Sequence, residues 1–179
     1  VSVIIAMRNE QEQVLHLLSE LNKQVYPIDK LELILVNDHS TDSTLELLEN
    51  SAIDNLRVLN MPEGMFGKKS AIARAMKDAT GEIILASDAD CSFSPIWVHT
   101  MVAYFTNKNI KLVSGPVSYH RQKGIFLGLQ TLEFISLIGS GAGAIGVNNA
   151  IFCNGANMAY RKADFLELKL GIKIRLFAY

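Results

Sequence analysis

Two aspartates one residue apart, Asp88 and Asp90, close the run Ile83-Ile84-Leu85-Ala86-Ser87-Asp88-Ala89-Asp90-Cys91. Carboxylates this close repel each other unless a cation lies between or beside them. An all-oxygen pair suits Mg²⁺ or Mn²⁺, and Mg²⁺ commonly keeps waters and shares its shell with substrate phosphates. The same residues also fit a plain solvated acidic turn, so position has to decide. Two further stretches carry chemistry. Asp38, in Asn37-Asp38-His39-Ser40-Thr41-Asp42, can accept hydrogen bonds from a base or ribose, or simply make an Asx turn or cap. Gly67-Lys68 opens a helical pattern, where free backbone N–H groups and a lysine suit a phosphate. Its plainer reading is a solvated lysine.

Position comes from the elements. The four apolar residues before Ser87 read as a buried strand, with Gly81 before it and Ser92 to Pro95 after it as punctuation. Val1 to Ala6 and Leu31 to Val36 are β-branched or apolar runs of the same kind, and Leu56 to Leu59 is a shorter one. Between them lie helical patterns. Val14, Leu17, Leu18 and Leu21 recur at three and four; Leu45, Leu47 and Leu48 follow a cap at Thr41 or Asp42; Ala71, Ile72, Ala75 and Met76 face inward from a helix over Lys68 to Lys77. Ser94-Pro95 starts a helix through Trp97, Met101, Val102 and Phe105, and Leu112 to Val117 is a fifth strand. Alternating strand and helix predicts an α/β fold, a mostly parallel sheet flanked by helices. In such a sheet Met7 to Glu10, Asn37-Asp38, Gly67-Lys68 and Asp88 to Asp90 converge on one edge, where ligands bind.

The later part reads differently. Ile125 to Ile151 is apolar and rich in Gly and Ala, with Gln130 and Glu133 interrupting it. Its uninterrupted part, Phe134 to Val147, is about fourteen residues, short of the roughly twenty that span a bilayer. The expectation is an amphipathic helix on the domain or at a membrane surface. Met158 to Arg161 then leads into a short helix from Lys162, and Leu168 to Phe177 alternates basic and apolar residues like a strand.

Composition sets bounds. The 179 residues carry 17 Lys and Arg against 18 Asp and Glu, so charge offers no case for nucleic acid. The length predicts a single domain over residues 1–179 with a real core. Apolar residues make up 49% and mean hydropathy is +0.20, values that point to a membrane-associated parent or a large buried interface. Cys91 and Cys153 form no close-spaced motif and read as reduced, buried thiols of a cytosolic compartment. There is no internal repeat and no signal peptide, and a start at Val1 inside an apolar run reads as a fragment of a longer protein.

Five motifs in order resemble the family 2 glycosyltransferases, which have the GT-A nucleotide-sugar fold. Val1 to Glu10 is similar to the family's first strand and Asn-Glu turn, with Ala6 and Met7 where Pro and Tyr are common. Asn37 to Asp42 resembles its Asp-Asp-Gly-Ser-Thr-Asp motif, departing at Asn37 and His39. Gly67-Lys68-Lys69-Ser70-Ala71 resembles its Gly-Lys-x-x-Ala helix start, Asp88-Ala89-Asp90 its Asp-x-Asp, and Asn154 to Arg161 its Gly-x-Asn-Met-x-Tyr-Arg stretch. The likeness runs to about Leu168.

The resemblance implies an inverting, metal-dependent transfer from a nucleoside-diphosphate sugar, a UDP-sugar first, to a glycan or lipid-linked acceptor at the cytoplasmic face of a membrane. Ala6, Arg8, Glu10 and Asp38 would contact the nucleoside, and Lys68 would lie near the base or diphosphate. Asp88 would reach the ribose or the metal, Asp90 would hold Mn²⁺ or Mg²⁺, and Asn154, Gly155, Ala156 and Asn157 would border sugar and acceptor. The acids after Glu133 are Asp164 and Glu167, and neither fits the family's base motif, so the catalytic base is expected beyond Tyr179. Two alternatives stand beside this reading. One is a fragment that binds nucleotide and transfers nothing. The other is a dinucleotide-dependent oxidoreductase, disfavoured because no Gly-x-Gly-x-x-Gly follows the first strand.

Overall fold

The computed structural model describes residues 1–119, 124–147, 149 and 154–171. Strands β1 (Ser2–Met7), β2 (Glu32–Asn37), β3 (Leu56–Asn60) and β4 (Ile83–Asp88) alternate with helices α1 (Gln11–Asn22), α2 (Thr44–Glu49) and α3 (Lys68–Asp78). Helix α4 (Trp97–Ala103), strand β5 (Leu112–Ser114), helix α5 (Ile125–Gly146), strand β6 (Asn157–Arg161) and helix α6 (Lys162–Gly171) follow. The strands form one six-stranded sheet in the order β3-β2-β1-β4-β6-β5. β1 to β4 pair in parallel, whereas β6 is antiparallel to both β4 and β5. The expected α/β class and mostly parallel sheet are present. Met158–Arg161, read only as the lead into a helix, is a strand wedged between β4 and β5.

Strand side chains alternate between faces, and here each face has its own helix layer. Val3, Ile5, Met7, Leu33, Leu35 and Leu85 pack with Val14, Leu17, Leu18 and Leu21 of α1, Leu48 of α2 and Trp97, Val98 and Met101 of α4. Ile4, Ile34, Val36, Ile84 and Ala86 pack on the other side with Ala71, Ala75 and Met76 of α3. Burial on both faces is why the central strands read as continuous apolar runs. Each fully buried Leu or Ile adds about 1.5–3 kcal/mol of apolar transfer energy.

Several element boundaries differ from the sequence reading. β5 stops at Ser114, not Val117: the Gly115 N–H makes one last bond in the β5–β6 register, to Asn157 O at 2.9 Å, and Pro116 has no N–H to continue the ladder. α4 begins at Trp97, whose N–H closes a turn onto Ser94 O at 2.9 Å. Asp42 satisfies the start of α2, its Oδ1 accepting the Thr44 N–H at 3.0 Å, while Thr41 instead donates to Asn9. The strand expected from Leu168 is wrong at its start: Leu168–Gly171 continues α6. That helix is anchored by Phe165 stacking on Tyr160 with ring centres 5.0 Å apart, which the four alternating residues Leu168–Gly171 do not override. Residues 172–179 and Cys153 lie outside the described residues. Cys91 is a half-buried free thiol whose burial pushes its pKa up.

α5 corrects a further expectation. It runs for 22 residues, because Gln130 and Glu133 do not interrupt a helix as they interrupt an apolar run. It lies on the domain through half-buried Leu127, Phe134 and Ile138 and buried Gly141, with Phe134 against Tyr119 at 4.6 Å. Its outward face is not polar: Ile125, Phe126, Leu129, Leu132, Ile135 and Leu137 are each at least half exposed. The helix is therefore apolar on both sides, not amphipathic. By length and composition it is long and apolar enough to cross a membrane.

Candidate functional site

Parallel register brings four strand ends to one edge. Met7 pairs with Asn37, Asn37 with Asn60, and Ala6 with Asp88. β6 runs the other way, so its first residue, Asn157, arrives beside Ser87 at this same edge. The stretches singled out by their chemistry thus meet in space: Ala6 to Glu10, Asp38, Lys68, Asp88 to Asp90 and Asn154 to Asn157.

Asp38 is 5% exposed and holds two loops. Its Oδ2 accepts the backbone N–H of Gly67 at 2.7 Å, and its Oδ1 lies 3.0 Å from His39 Nδ1. Gly67 has φ 88° and ψ 153°, a conformation open to glycine and strained for other residues. His39 sits at φ 58°, in the left-handed region, where the related motif carries glycine; its ring leans on Phe66 with centres 4.5 Å apart. Lys68, the first residue of α3, is thereby aimed along the sheet edge, and its ammonium pairs with Asp88. Asp88 thus has a cationic partner within the chain itself.

The loops after β1 and β2 are zipped together. Asn9, at φ 56°, accepts the Thr41 N–H at 2.8 Å and donates its own N–H to Ser40 Oγ at 3.0 Å. The Glu10 N–H donates to Thr44 Oγ1 at 2.8 Å, and the Gln11 N–H to Asp42 Oδ2 at 3.2 Å. Asn9 and Asp42 build the site, whereas the sequence reading gave Asp42 only as a candidate cap of α2 and Asn9 only as part of the turn after the first strand. An Asn directly after a strand, a residue type that tolerates φ > 0, was the available signal. This zipper carries Glu10 toward the aspartates. The Glu10 carboxyl is pushed above its ordinary value, by burial first and then by the charges of Asp90, Asp42 and Asp88. Arg8 and Asp90 are exposed at the same edge.

The 154–157 loop closes the far side. Asn154 Oδ1 accepts the Ala156 N–H at 2.9 Å, and Ala156 O accepts the Ser87 hydroxyl at 2.6 Å. The Asn157 amide is already committed to the framework: its Oδ1 takes the Trp97 indole N–H at 3.0 Å and its Nδ2 donates to Pro116 O at 3.0 Å. Asp164 belongs to the opposite edge, where it pairs with Lys111 at 3.3 Å.

Residues 2–168 match the family model described as Glycosyl transferase family 2. The chain belongs to that family. It is 32% identical to glycosyltransferase AglE of Haloferax volcanii over 126 residues, 69% of this chain and 41% of that protein. It is 31% identical to poly-beta-1,6-N-acetyl-D-glucosamine synthase of Staphylococcus epidermidis over 195 residues, 100% of this chain and 46% of the relative. The chain therefore spans less than half the length of these family 2 relatives. Among solved structures it resembles mannosyltransferase PcManGT of Pyrobaculum calidifontis, solved with GDP-Man and Mn²⁺, with a TM-score of 0.70 and 24% identity over 95% of this chain and 46% of that one. It also resembles S. aureus TarS solved with UDP-GlcNAc, at a TM-score of 0.64 and 22% identity over 94% and 47%. These likenesses show the GT-A fold.

The residues at the edge fit a divalent cation of the kind the family implies. The Glu10 carboxyl is raised by burial first and by the charges of Asp90, Asp42 and Asp88 after it, and a cation among these acids would relieve that second part. Among the described residues no group of three or more His, Cys, Asp or Glu could hold a metal alone.

Proposed function

We propose that this family 2 chain is the donor-binding part of an inverting, divalent-cation-dependent glycosyltransferase, and that its donor is a nucleoside-diphosphate sugar, a UDP-sugar first. The observation that carries this is the meeting of Glu10, Asp88 and Asp90 with Lys68 at one sheet edge. Ala6, Arg8, Glu10 and Asp38 line the nucleoside side. Asp90, with Asp88, would hold Mn²⁺ or Mg²⁺, which when bound neutralises charge building on the departing diphosphate. Lys68 serves the diphosphate from the start of α3. The 154–157 backbone borders the sugar, with the Asn157 side chain holding that loop in place. Direct attack at the anomeric carbon needs a base that deprotonates the acceptor hydroxyl, and we assign that base outside the residues at this edge. The acceptor is a glycan or lipid-linked hydroxyl at the cytoplasmic face of a membrane, against which the apolar outer face of α5 would lie.

Titration calorimetry with UDP, with and without Mn²⁺, tests the reading. Binding that requires the metal supports it. UDP binding that ignores both Mn²⁺ and Mg²⁺ removes the metal role, and no UDP binding in either condition removes the donor.

A further inference from the structure

The Lys68 ammonium binds Asp88 through Oδ1, and the two side chains are 35% and 37% exposed. A pair this open to water is weak and exchangeable. Its lysine backbone is not free to wander, because the preceding Gly67 N–H is held by buried Asp38. The ammonium also faces the 154–157 loop, where a Cβ on Gly155 would lie 3.6 Å from Nζ. A divalent cation and an ammonium at one carboxylate repel each other and compete for it. Phosphate oxygens offer the lysine another partner, since a lysine binds phosphate as a mobile point charge.

We infer that Lys68 is a placeholder cation: it occupies Asp88 in the empty site, weakens metal binding there, and passes to the diphosphate when the donor enters. This rests on the donor-binding reading above and deepens it. Metal and donor then bind synergistically, and the coupling is reciprocal. The site discourages a bare cation and accepts one together with its donor. Lys68 is on this account a positioning residue whose partner changes.

The test is titration of Mn²⁺, with free Mn²⁺ read by paramagnetic resonance, on the purified protein and on Lys68→Met, Lys68→Gln and Lys68→Arg, each with and without UDP. Lys68→Met and Lys68→Gln are expected to bind Mn²⁺ alone about fivefold or more tightly than the parent, while UDP improves their Mn²⁺ affinity less. Lys68→Arg should behave like the parent. The inference is overturned if the folded Met and Gln variants bind bare Mn²⁺ no more tightly while UDP and Mn²⁺ still bind together. A parent that binds Mn²⁺ neither alone nor with UDP overturns the donor-site reading and this inference with it.

Discussion

The buried carboxylate of Asp38 accepts the backbone N–H of Gly67 at 2.7 Å, so the end of β2 holds the start of α3. This bond joins a residue read as a nucleoside contact to a residue read as a phosphate-binding turn. Its removal should be felt in both folding and binding. Asp38→Ala leaves the Gly67 donor unpaired, a loss of about 1–3 kcal/mol. Thermal melting should record that loss, and UDP affinity should fall because Lys68 is no longer aimed. An unchanged melting temperature with lost UDP binding would make Asp38 a ligand contact alone.

Asp90 is exposed, and its substitution should leave folding untouched. Asp90→Asn keeps the shape and removes the charge. In Mn²⁺, UDP affinity should drop at least tenfold, about 1.4 kcal/mol. Equal UDP affinity for variant and parent in calorimetry, with and without metal, would sink the assignment of Asp90 as the metal ligand.

Two glutamates predict opposite pH effects. The Glu10 carboxyl is raised above its ordinary 4.5 by burial and by neighbouring acids, so its charged form is disfavoured in the folded state. Glu10→Gln should therefore be more stable than the parent at neutral pH, and the difference should vanish once both states are protonated in acid. Glu32 behaves the other way. Burial alone would raise it, but hydrogen bonds from Ser2, Thr80 and the Gly81 N–H outweigh that and hold it below 4.5. Its stabilisation is full above the unfolded value and is lost as pH falls through the folded one. Glu32→Gln should cost about 1–2 kcal/mol at neutral pH, shrinking toward zero in acid. Urea melts from pH 3 to 8 measure both; parallel curves for variants and parent would refute the linkage.

The outer face of α5 should bind lipid. Ile125, Leu129 and Leu132 are 88%, 60% and 62% exposed on that face. Attraction through apolar area is only weakly screened, so vesicle flotation should survive high salt. Leu129→Glu with Leu132→Glu should abolish flotation and improve solubility without lowering the melting temperature. A parent protein that ignores vesicles at low salt would refute the assignment of this face.

The sequence alone determined what is local. Val14, Leu17, Leu18 and Leu21 share one helix face because of the helical period, and Asp88 and Asp90 follow an apolar run because that run is buried on both sides. Ile83 to Leu85, Ile4 and Ile5 read as strands for the same reason, and alternating elements were enough to predict converging strand ends. Tertiary structure decided what depends on distant pairing. Asn157–Arg161 is a strand because it fills the gap between β4 and β5, across from Ile83 to Ser87, a partner that five residues cannot announce. Asn157 became framework because Trp97 and Pro116 meet its amide. Lys68 meets Asp88 at the start of α3, where Asp38 of the β2 end holds the preceding Gly67. Side-chain chemistry and spacing are carried along the chain, but the partner of a charge is set by whatever the folded backbone brings within a few ångströms of it.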